Sequence, residues 1–375
     1  MVIGWIYPHR EKCGIARYSL DYAEALETIA TVHRIDPEWL FTDRKRFRET
    51  LRECTIAHLQ YDTTAFMHGS TDFYRKLVLR IPVPLIVSLH EVYDENPFIF
   101  PRSALHGNPL SLFLKHILWN HTHPVDKAFL NHLAGKFNAS HLLVHHLHHR
   151  EILIGKGIDG NRISIFPMPM HRIQPPQPLD VASDGCLHLG AHGFIQSAYD
   201  FELLFAVLRK LQLPWRFTWI GGTRTDDNKP LHVELIRRID ELGWNDRFTI
   251  TGWITEKELG DRLAGIDLIL ALFRHRSSSA SIARALSHGK PVIANELPLT
   301  MEIADGNRHS HRSTAAPLLT TPAEPSAITD RIMEFNSNGN VRLRLYEGIN
   351  AYVENHSFEK MARRLLDLYR GQLSR

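Results

Sequence analysis

The sequence predicts an α/β protein built from two doubly wound domains. Three observations carry this expectation. Short apolar segments alternate with helical patterns in the first half, a proline-rich stretch breaks the alternation near the middle, and the alternation then restarts. The chain has 375 residues, enough for two separate cores.

Residues 2–7 read as a buried strand, apolar except at Gly4. Gly14 follows a loop and precedes a helical pattern with Ile15, Tyr18, Leu20, Ala23 and Leu26. Further strands are expected at 55–59, 84–89, 141–144 and 163–166, each ending at a polar loop. Pro167, Pro169, Pro175, Pro176 and Pro178 then crowd one stretch that runs up to Asp184 and Gly185. Proline fixes φ and lacks an N–H, so neither a helix nor a central strand continues through it. This places a first domain at 1–170, a linker at 171–185 and a second domain at 186–350. In the second domain, strands are expected at 186–190, 216–220, 248–251, 267–271 and 291–294. Helices are expected at 199–211, 231–242, 256–264 and 282–288, and two long helical patterns follow at 340–355 and 358–369. Doubly wound sheets bind ligands beyond the carboxyl ends of their strands, where the strand order reverses. If the two domains face each other, the site is the cleft between them.

Composition narrows the class. Hydrophobic residues make up 43% and charged residues 23%, the balance of a soluble globular protein. A formal net charge of +3 is too weak to imply a nucleic-acid partner, and leaves room for a diphosphate or an anionic lipid. Cys13, Cys54 and Cys186 are far apart and lack CxxC spacing, as expected of free thiols in a reducing compartment. The apolar run at the N-terminus is too short for a signal-peptide core, and no stretch approaches the ~18 apolar residues of a membrane span. The expected location is the cytoplasm, with any membrane contact peripheral on its inner face.

The loops, taken in order, resemble the retaining glycosyltransferases of family 4, which have the GT-B fold. Cys13-Gly14-Ile15-Ala16-Arg17-Tyr18 resembles the family's glycine loop, His58-Leu59-Gln60-Tyr61 its next strand end, and Ser88-Leu89-His90-Glu91 its T-x-H-[DE] strand end. Gly193-Phe194-Ile195 resembles the opening of the donor domain, and Trp219-Ile220-Gly221-Gly222 and Thr251-Gly252-Trp253-Ile254 two strand ends that follow. The run from Ala285 through Gly289-Lys290-Pro291 to Ala294 resembles the EAMAxGxPVVA signature, and Phe358-Glu359-Lys360-Met361-Ala362 the closing helix. The resemblance implies two facing Rossmann-like domains with an interdomain cleft, an acceptor side in the first domain and a donor side in the second. It also implies that the segment 351–375 carries a helix packed back on the first domain. The implied reaction moves a sugar from a nucleotide diphosphate to a glycan or lipid-linked acceptor with retention, in polysaccharide or glycoconjugate synthesis, without a metal or other cofactor. In such enzymes the leaving diphosphate helps to deprotonate the acceptor, so no pair of catalytic carboxylates is required.

The sequence also departs from the family. Two glutamates with seven residues between them usually precede the PVVA strand, and their positions carry Arg276 and Arg284 here. The lysine that usually meets the donor diphosphate aligns with Tyr199. Arginine only donates hydrogen bonds. Arg276 therefore implies either a donor with an extra negative group near the sugar or a guanidinium gripping the diphosphate in place of the lysine.

Residue chemistry adds its own candidates. Ser277, Ser278, Ser279 and Ser281 lead into a helix whose free N–H groups make an anion site, and Arg274 and Arg276 lie just upstream. The alternative is an ordinary serine cap beside two solvated arginines. Gly14 permits close approach of a ligand and Arg17 lies in the first helical turn; the alternative is a tight turn with a surface arginine. His90 ends a strand where a histidine can bind a sugar hydroxyl or carry a proton, against a histidine simply bonded to backbone. Gly193, Phe194, Tyr199 and Glu302 complete the donor-side expectation, and Arg17, Gln60 and Tyr61 the acceptor side. Gly14, His90, Gly193, the serines and Glu302 are expected to line one cleft. Glu296 and Glu302 can bind ribose hydroxyls, or can be a loop acid and a helix N-terminal acid. His141, His145 and His149 share a helical spacing that suits zinc, yet no cysteine or acid is interleaved and His141 is expected to end a strand, so no metal site is expected. Residues 111–119 form an apolar, mildly basic stretch that suits either membrane docking or a core-facing helix. The competing functions are a non-catalytic binding or scaffolding protein of the same fold, and a sugar-nucleotide epimerase lacking assignable acid and base.

Overall fold

The structure is a computed structural model. It describes residues 1–9, 13–62, 67–68, 71–72, 77–78, 80–92, 141–172, 185–223, 226–306 and 315–374. The stretch 111–119 and most of the proline-rich segment lie outside these residues. The chain divides into two compact units: Met1–Pro167 together with Phe358–Arg375, and Met168–Ser357.

The first unit is a six-stranded parallel sheet in the order β2-β1-β3-β6-β7-β8. Its strands are β1 (Val2–Ile6), β2 (Thr31–Ile35), β3 (Ile56–Tyr61), β6 (Leu85–Leu89), β7 (His141–Val144) and β8 (Ile163–Ile165). A two-stranded antiparallel ladder, β4 (Met67–His68) and β5 (Thr71–Asp72), stands apart from the sheet. Helices α1 (Gly14–Glu27), α2 (Trp39–Thr42), α3 (Arg44–Glu53) and α4 (Leu147–Gly155) intervene. The central strands are buried along their whole length, as strands covered on both faces must be. Strand β2 was not expected from the sequence. It is an edge strand with half-buried His33 and Arg34, so the apolar run that signals a central strand is missing.

The last helix, α12 (Phe358–Leu373), belongs to this first unit. Its buried face, Phe358, Met361, Ala362, Leu365, Leu366 and Tyr369, repeats at helical spacing and shares a core with Ile3, Trp5, Tyr22 and Ala23. Polar bonds fix its register. The Tyr22 hydroxyl donates to the Met361 carbonyl at 3.0 Å. The Tyr369 hydroxyl lies 2.5 Å from Nδ1 of His58, whose Nε2 lies 2.8 Å from the Ser88 hydroxyl.

The second unit is a six-stranded parallel sheet in the order β11-β10-β9-β12-β13-β14. The strands are β9 (Leu187–His192), β10 (Trp215–Ile220), β11 (Phe248–Ile250), β12 (Leu268–Ala271), β13 (Val292–Asn295) and β14 (Leu319–Thr321). The helices are α5 (Phe201–Lys210), α6 (Lys229–Glu241), α7 (Glu256–Ala264), α8 (Ala280–Ser287), α9 (Pro298–Ala304), α10 (Pro325–Ser337) and α11 (Gly339–Asn355). The helix expected from 199 starts at Phe201 because Asp200 caps it, accepting from the Leu203 N–H at 3.1 Å. Strand β14 is another short edge strand, with two threonines in three residues, and carries no apolar signal.

Burial leaves several imidazoles neutral. Burial pushes His58 down to about 3 and, with a smaller opposing bond to the Phe166 carbonyl, His145 down to about 4. Burial first, then the neighbouring His145 and His58, pushes His90 well below the usual value. All three lie in the first unit. An unfolded chain takes up protons on these groups below pH 6.5 while the folded unit does not, so stability is full above that pH and falls as pH drops. Each group contributes up to ~1.4 kcal/mol per pH unit. Thermal unfolding followed from pH 7.5 to 5, above the range of ordinary carboxylates, should show a flat Tm above pH 7 and a steep loss below 6.5. A Tm indifferent to pH across that span would mean that the imidazoles are accessible to protons in the folded state.

Candidate functional site

In the second unit the strand order reverses between β9 and β12, the place where a doubly wound sheet opens a crevice at its carboxyl edge. Gly193 follows β9 at φ +127, a conformation reserved for glycine, and a side chain there would point at Ser281, whose Cβ lies 3.6 Å from the position of an added Cβ. Ser281 is in the first turn of α8. Ser279 caps that helix by accepting from the Ile282 N–H at 3.2 Å, and its hydroxyl meets that of Ser281 at 3.0 Å. The free N–H groups of α8 therefore open onto the crevice.

Three further groups there are buried without a hydrogen-bond partner: Ser278 Oγ, Arg276 Nε and His192 Nδ1. Leaving such groups unpaired costs about 1–3 kcal/mol each, so a folded protein that keeps them is shaped for something else to satisfy them. Ser278 is 7% exposed. Arg276 lies over the Phe273 ring at 5.7 Å and is ion-paired with no other described residue. His192 ends β9, and burial first, then Arg284 and His288, pushes it down to about 4, so it is neutral at pH 7. The other cations nearby are engaged: Arg274 meets Asp200 at 3.5 Å, and Arg284 donates to Glu256.

Tyr199 does not reach this edge. It is 4% exposed, its hydroxyl donates to the Leu270 carbonyl at 2.8 Å, and its ring packs on Trp219 and Phe273. Glu302 lies half-exposed on α9.

Two features escaped sequence reasoning. Asn295, 2% exposed at the end of β13, accepts from the Phe273 N–H at 2.7 Å and donates to the Phe273 carbonyl at 2.9 Å. This double clamp fixes the turn from which Arg274, Arg276 and the serines emerge. The signal was an amide directly after the apolar run Val292–Ala294. The second is an aromatic pair. Phe194 and Trp253 stack at 5.8 Å with planes 17° apart, and Trp253 is 54% exposed. The backbone beneath them is locked by glycine contacts: a Cβ on Gly221 would stand 2.2 Å from the Gly193 carbonyl oxygen, and Gly221 bridges Gly252.

In the first unit the order reverses between β1 and β3. Gly14 starts α1 with open space where a Cβ would be, and exposed Arg17 pairs with buried Asp21 at 2.7 Å. Gln60 and Tyr61 end β3 and are buried, and His90 follows β6 at 5% exposure. His145 Nδ1 donates to the Phe166 carbonyl at 2.9 Å, so its Nε2 accepts from His90 Nδ1 at 3.1 Å. Neutral His90 then has a bare Nε2, 3.1 Å from Gln60 Oε1; two acceptors do not bond, so the pairing requires the Gln60 amide to turn over and donate from its NH2. Both ring nitrogens of His90 are thus committed to the protein.

Two units, each a six-stranded parallel sheet flanked by helices, give the GT-B fold of glycosyltransferases. Residues 189–338 match the family model described as "Glycosyl transferases group 1". The curated proteins contain no match. Among solved structures the chain is similar to Anabaena Alr3699/HepE in complex with UDP-glucose, at 14% identity and TM-score 0.72, over 99% of this chain and 100% of that one. It is similar to a glycosyltransferase from Rickettsia africae at 13% identity and TM-score 0.71, over 99% and 98% of the two chains. The sucrose-phosphate synthase of Thermosynechococcus elongatus follows at 14% identity and TM-score 0.70, over 100% and 99%.

Replacing Asn295 by leucine leaves the buried N–H and C=O of Phe273 unpaired. The expected cost is about 2–4 kcal/mol, read from denaturant unfolding. A variant as stable as the parent would show that the clamp does not hold the turn.

Proposed function

We propose that the chain is a glycosyltransferase that takes a sugar from a nucleoside diphosphate and transfers it, with retention, to a glycan or lipid-linked acceptor in surface polysaccharide or glycoconjugate synthesis. The observation that carries this reading is the set of unpartnered donors at the N-terminus of α8, beside the glycine that ends β9. Such a set fits a diphosphate: Ser278, Ser279, Ser281 and the α8 N–H groups on its oxygens, Arg276 as the charged grip, and Arg274 at the rim. The complex of the similar Anabaena protein with UDP-glucose supports a uridine donor. Gly193, Phe194 and Glu302 complete the donor side in the second unit, and Gly14, Arg17, Gln60 and Tyr61 the acceptor side in the first.

The transfer we propose breaks the bond between the anomeric carbon and the diphosphate oxygen and forms a bond to the acceptor oxygen on the same face. The acceptor's proton passes to the departing phosphate. Arg276 and the helix N–H groups stabilise the charge that grows on that leaving group. A catalytic role for His90 requires one of its two protein bonds to be exchanged for substrate. That commitment is the observation favouring the second reading, a binding protein of the same fold that transfers nothing. No helix among the described residues is long and apolar enough to cross a membrane.

Two titrations test the donor site. Arg276→Ala should weaken binding of UDP-sugars about ten- to a hundredfold by calorimetry, since charge-assisted bonds to phosphate contribute roughly 1.5–3 kcal/mol. Uronic-acid and neutral sugar nucleotides should be compared, because an arginine facing a sugar carboxylate would favour the former. A variant that binds every donor like the parent would rule the role out, and a parent that binds donors but yields no transfer would leave the binding-protein reading.

The stack of Phe194 on Trp253 offers a flat apolar face on the chain neighbour of Gly193, where a base joined to the diphosphate can lie. Trp253→Ala should weaken UDP binding roughly tenfold and leave inorganic pyrophosphate binding unchanged. Equal losses for both ligands would mean that the substitution disturbs the loops rather than removing a stacking surface.

A further inference from the structure

One group in the crevice of the second unit has the wrong polarity for a diphosphate. Ser278, Arg276 and the α8 N–H groups donate hydrogen bonds, and a diphosphate at pH 7 accepts them. His192, the last residue of β9, is different. Its Nδ1 has no hydrogen-bond partner among the described residues, so the bond it makes with the Ser281 backbone runs through Nε2. That bond favours the protonated ring, as a bond to a carbonyl does, so Nε2 carries the proton of the neutral imidazole. Nδ1 is then a bare lone pair, able only to accept.

The surroundings keep it that way. Burial, Arg284 and His288 all disfavour a charged ring, so a nearby phosphate does not readily draw a second proton onto it. At 100° per residue, positions 281, 284 and 288 fall within about 60° of one another around α8. His192 therefore lies along that flank of the helix and not only at its tip. In the other direction the chain passes Gly193 to Phe194, which stacks on Trp253 at 5.8 Å. The imidazole is half-buried, so a small rotation of its side chain within its rotamer presents Nδ1 to a ligand in the crevice.

We infer that Nδ1 of His192 accepts a hydrogen bond from a ribose hydroxyl of the nucleoside diphosphate, which makes the site selective for ribonucleotides over deoxyribonucleotides. The inference rests on the donor reading proposed above. With the diphosphate on the α8 terminus and the base on the Phe194–Trp253 face, the ribose is the part that spans Gly193. Its hydroxyls are the donors that come beside His192. An accepting nitrogen repels phosphate oxygens, so it also sets which way the nucleotide lies along the crevice. A ligand without the hydroxyl leaves Nδ1 unpaired, a loss that discriminates more strongly than a missing apolar contact.

Calorimetry with UDP, 2′-deoxy-UDP, 3′-deoxy-UDP and inorganic pyrophosphate tests it. The parent should bind UDP about three- to tenfold more tightly than at least one deoxy form. His192→Phe keeps a ring in place and removes the acceptor. It should weaken UDP binding by that same factor, bind the three nucleotides alike and leave pyrophosphate binding unchanged. His192→Asn puts a carbonyl oxygen near the place of Nδ1 and should restore the preference for UDP. A parent that binds the three nucleotides alike, a His192→Phe variant that keeps the preference, or one that loses pyrophosphate as strongly as UDP would each overturn the assignment. A parent that binds none of the three nucleotides would remove the donor reading itself, and this inference with it.

Discussion

A parallel sheet can reverse its strand order in only a few places, and at each reversal the connections on either side leave in opposite directions. In the second unit this parts the loop after β9 from the loop after β12. Everything proposed for the site depends on that opening. Gly193 turns away at its edge with a backbone that needs glycine, α8 starts beside it, and the Asn295 amide holds the turn at Phe273 from below. The crevice is thus a consequence of topology, sharpened by one glycine and one buried amide. The same reversal in the first unit lies between β1 and β3, where Gly14 opens the helix after β1 and Tyr61 ends β3.

Charge pairing separates the groups that build the fold from those left for a ligand. Arg274 and Arg284 lie about two and eight residues from Arg276 in sequence, but each already faces a carboxylate. Among the described residues, Arg276 faces the ring of Phe273 and no carboxylate. Ser279 serves the backbone as a cap, whereas the buried hydroxyl of Ser278, one residue earlier, bonds to no described residue. A cap and a ligand contact can thus alternate along four serines, because successive residues entering a helix point in different directions.

Much of this was legible in the sequence. Alternation and the proline stretch read out both sheets because central parallel strands are largely apolar runs, such as Val2–Ile6 and Leu268–Ala271. The edge strands Thr31–Ile35 and Leu319–Thr321 were not legible, since a strand with one covered flank needs few apolar residues. Serines before a helix could be read as a cap from local chemistry alone, and Ser279 supplies it. Tyr199 could not be placed, because alignment gives a position and not a direction: Asp200 caps the following helix, and the tyrosine ring before it turns into the core. Asn295 and the Phe194–Trp253 stack depend on contacts between residues 22 and 59 positions apart, which no local pattern encodes.

The histidines of the first unit bear on where a proton can go. A general base must offer a nitrogen lone pair, and its basicity must be near the working pH. His90, His145 and His58 are buried, and burial depresses all three. Their ring nitrogens are spent on Gln60, Phe166, Ser88 and Tyr369, and the Phe166 carbonyl fixes the tautomer of His145 and, through it, that of His90. A chain of this kind makes a rigid polar core under the carboxyl edge of the sheet. To supply a base, one of its members would have to exchange a protein bond for substrate. On the proposed reaction, the acceptor proton instead leaves with the diphosphate, whose oxygens become more basic as the glycosidic bond breaks. That places the demand on whatever stabilises the leaving group, and the unpaired Arg276 with the α8 terminus is the feature of the second unit suited to meet it.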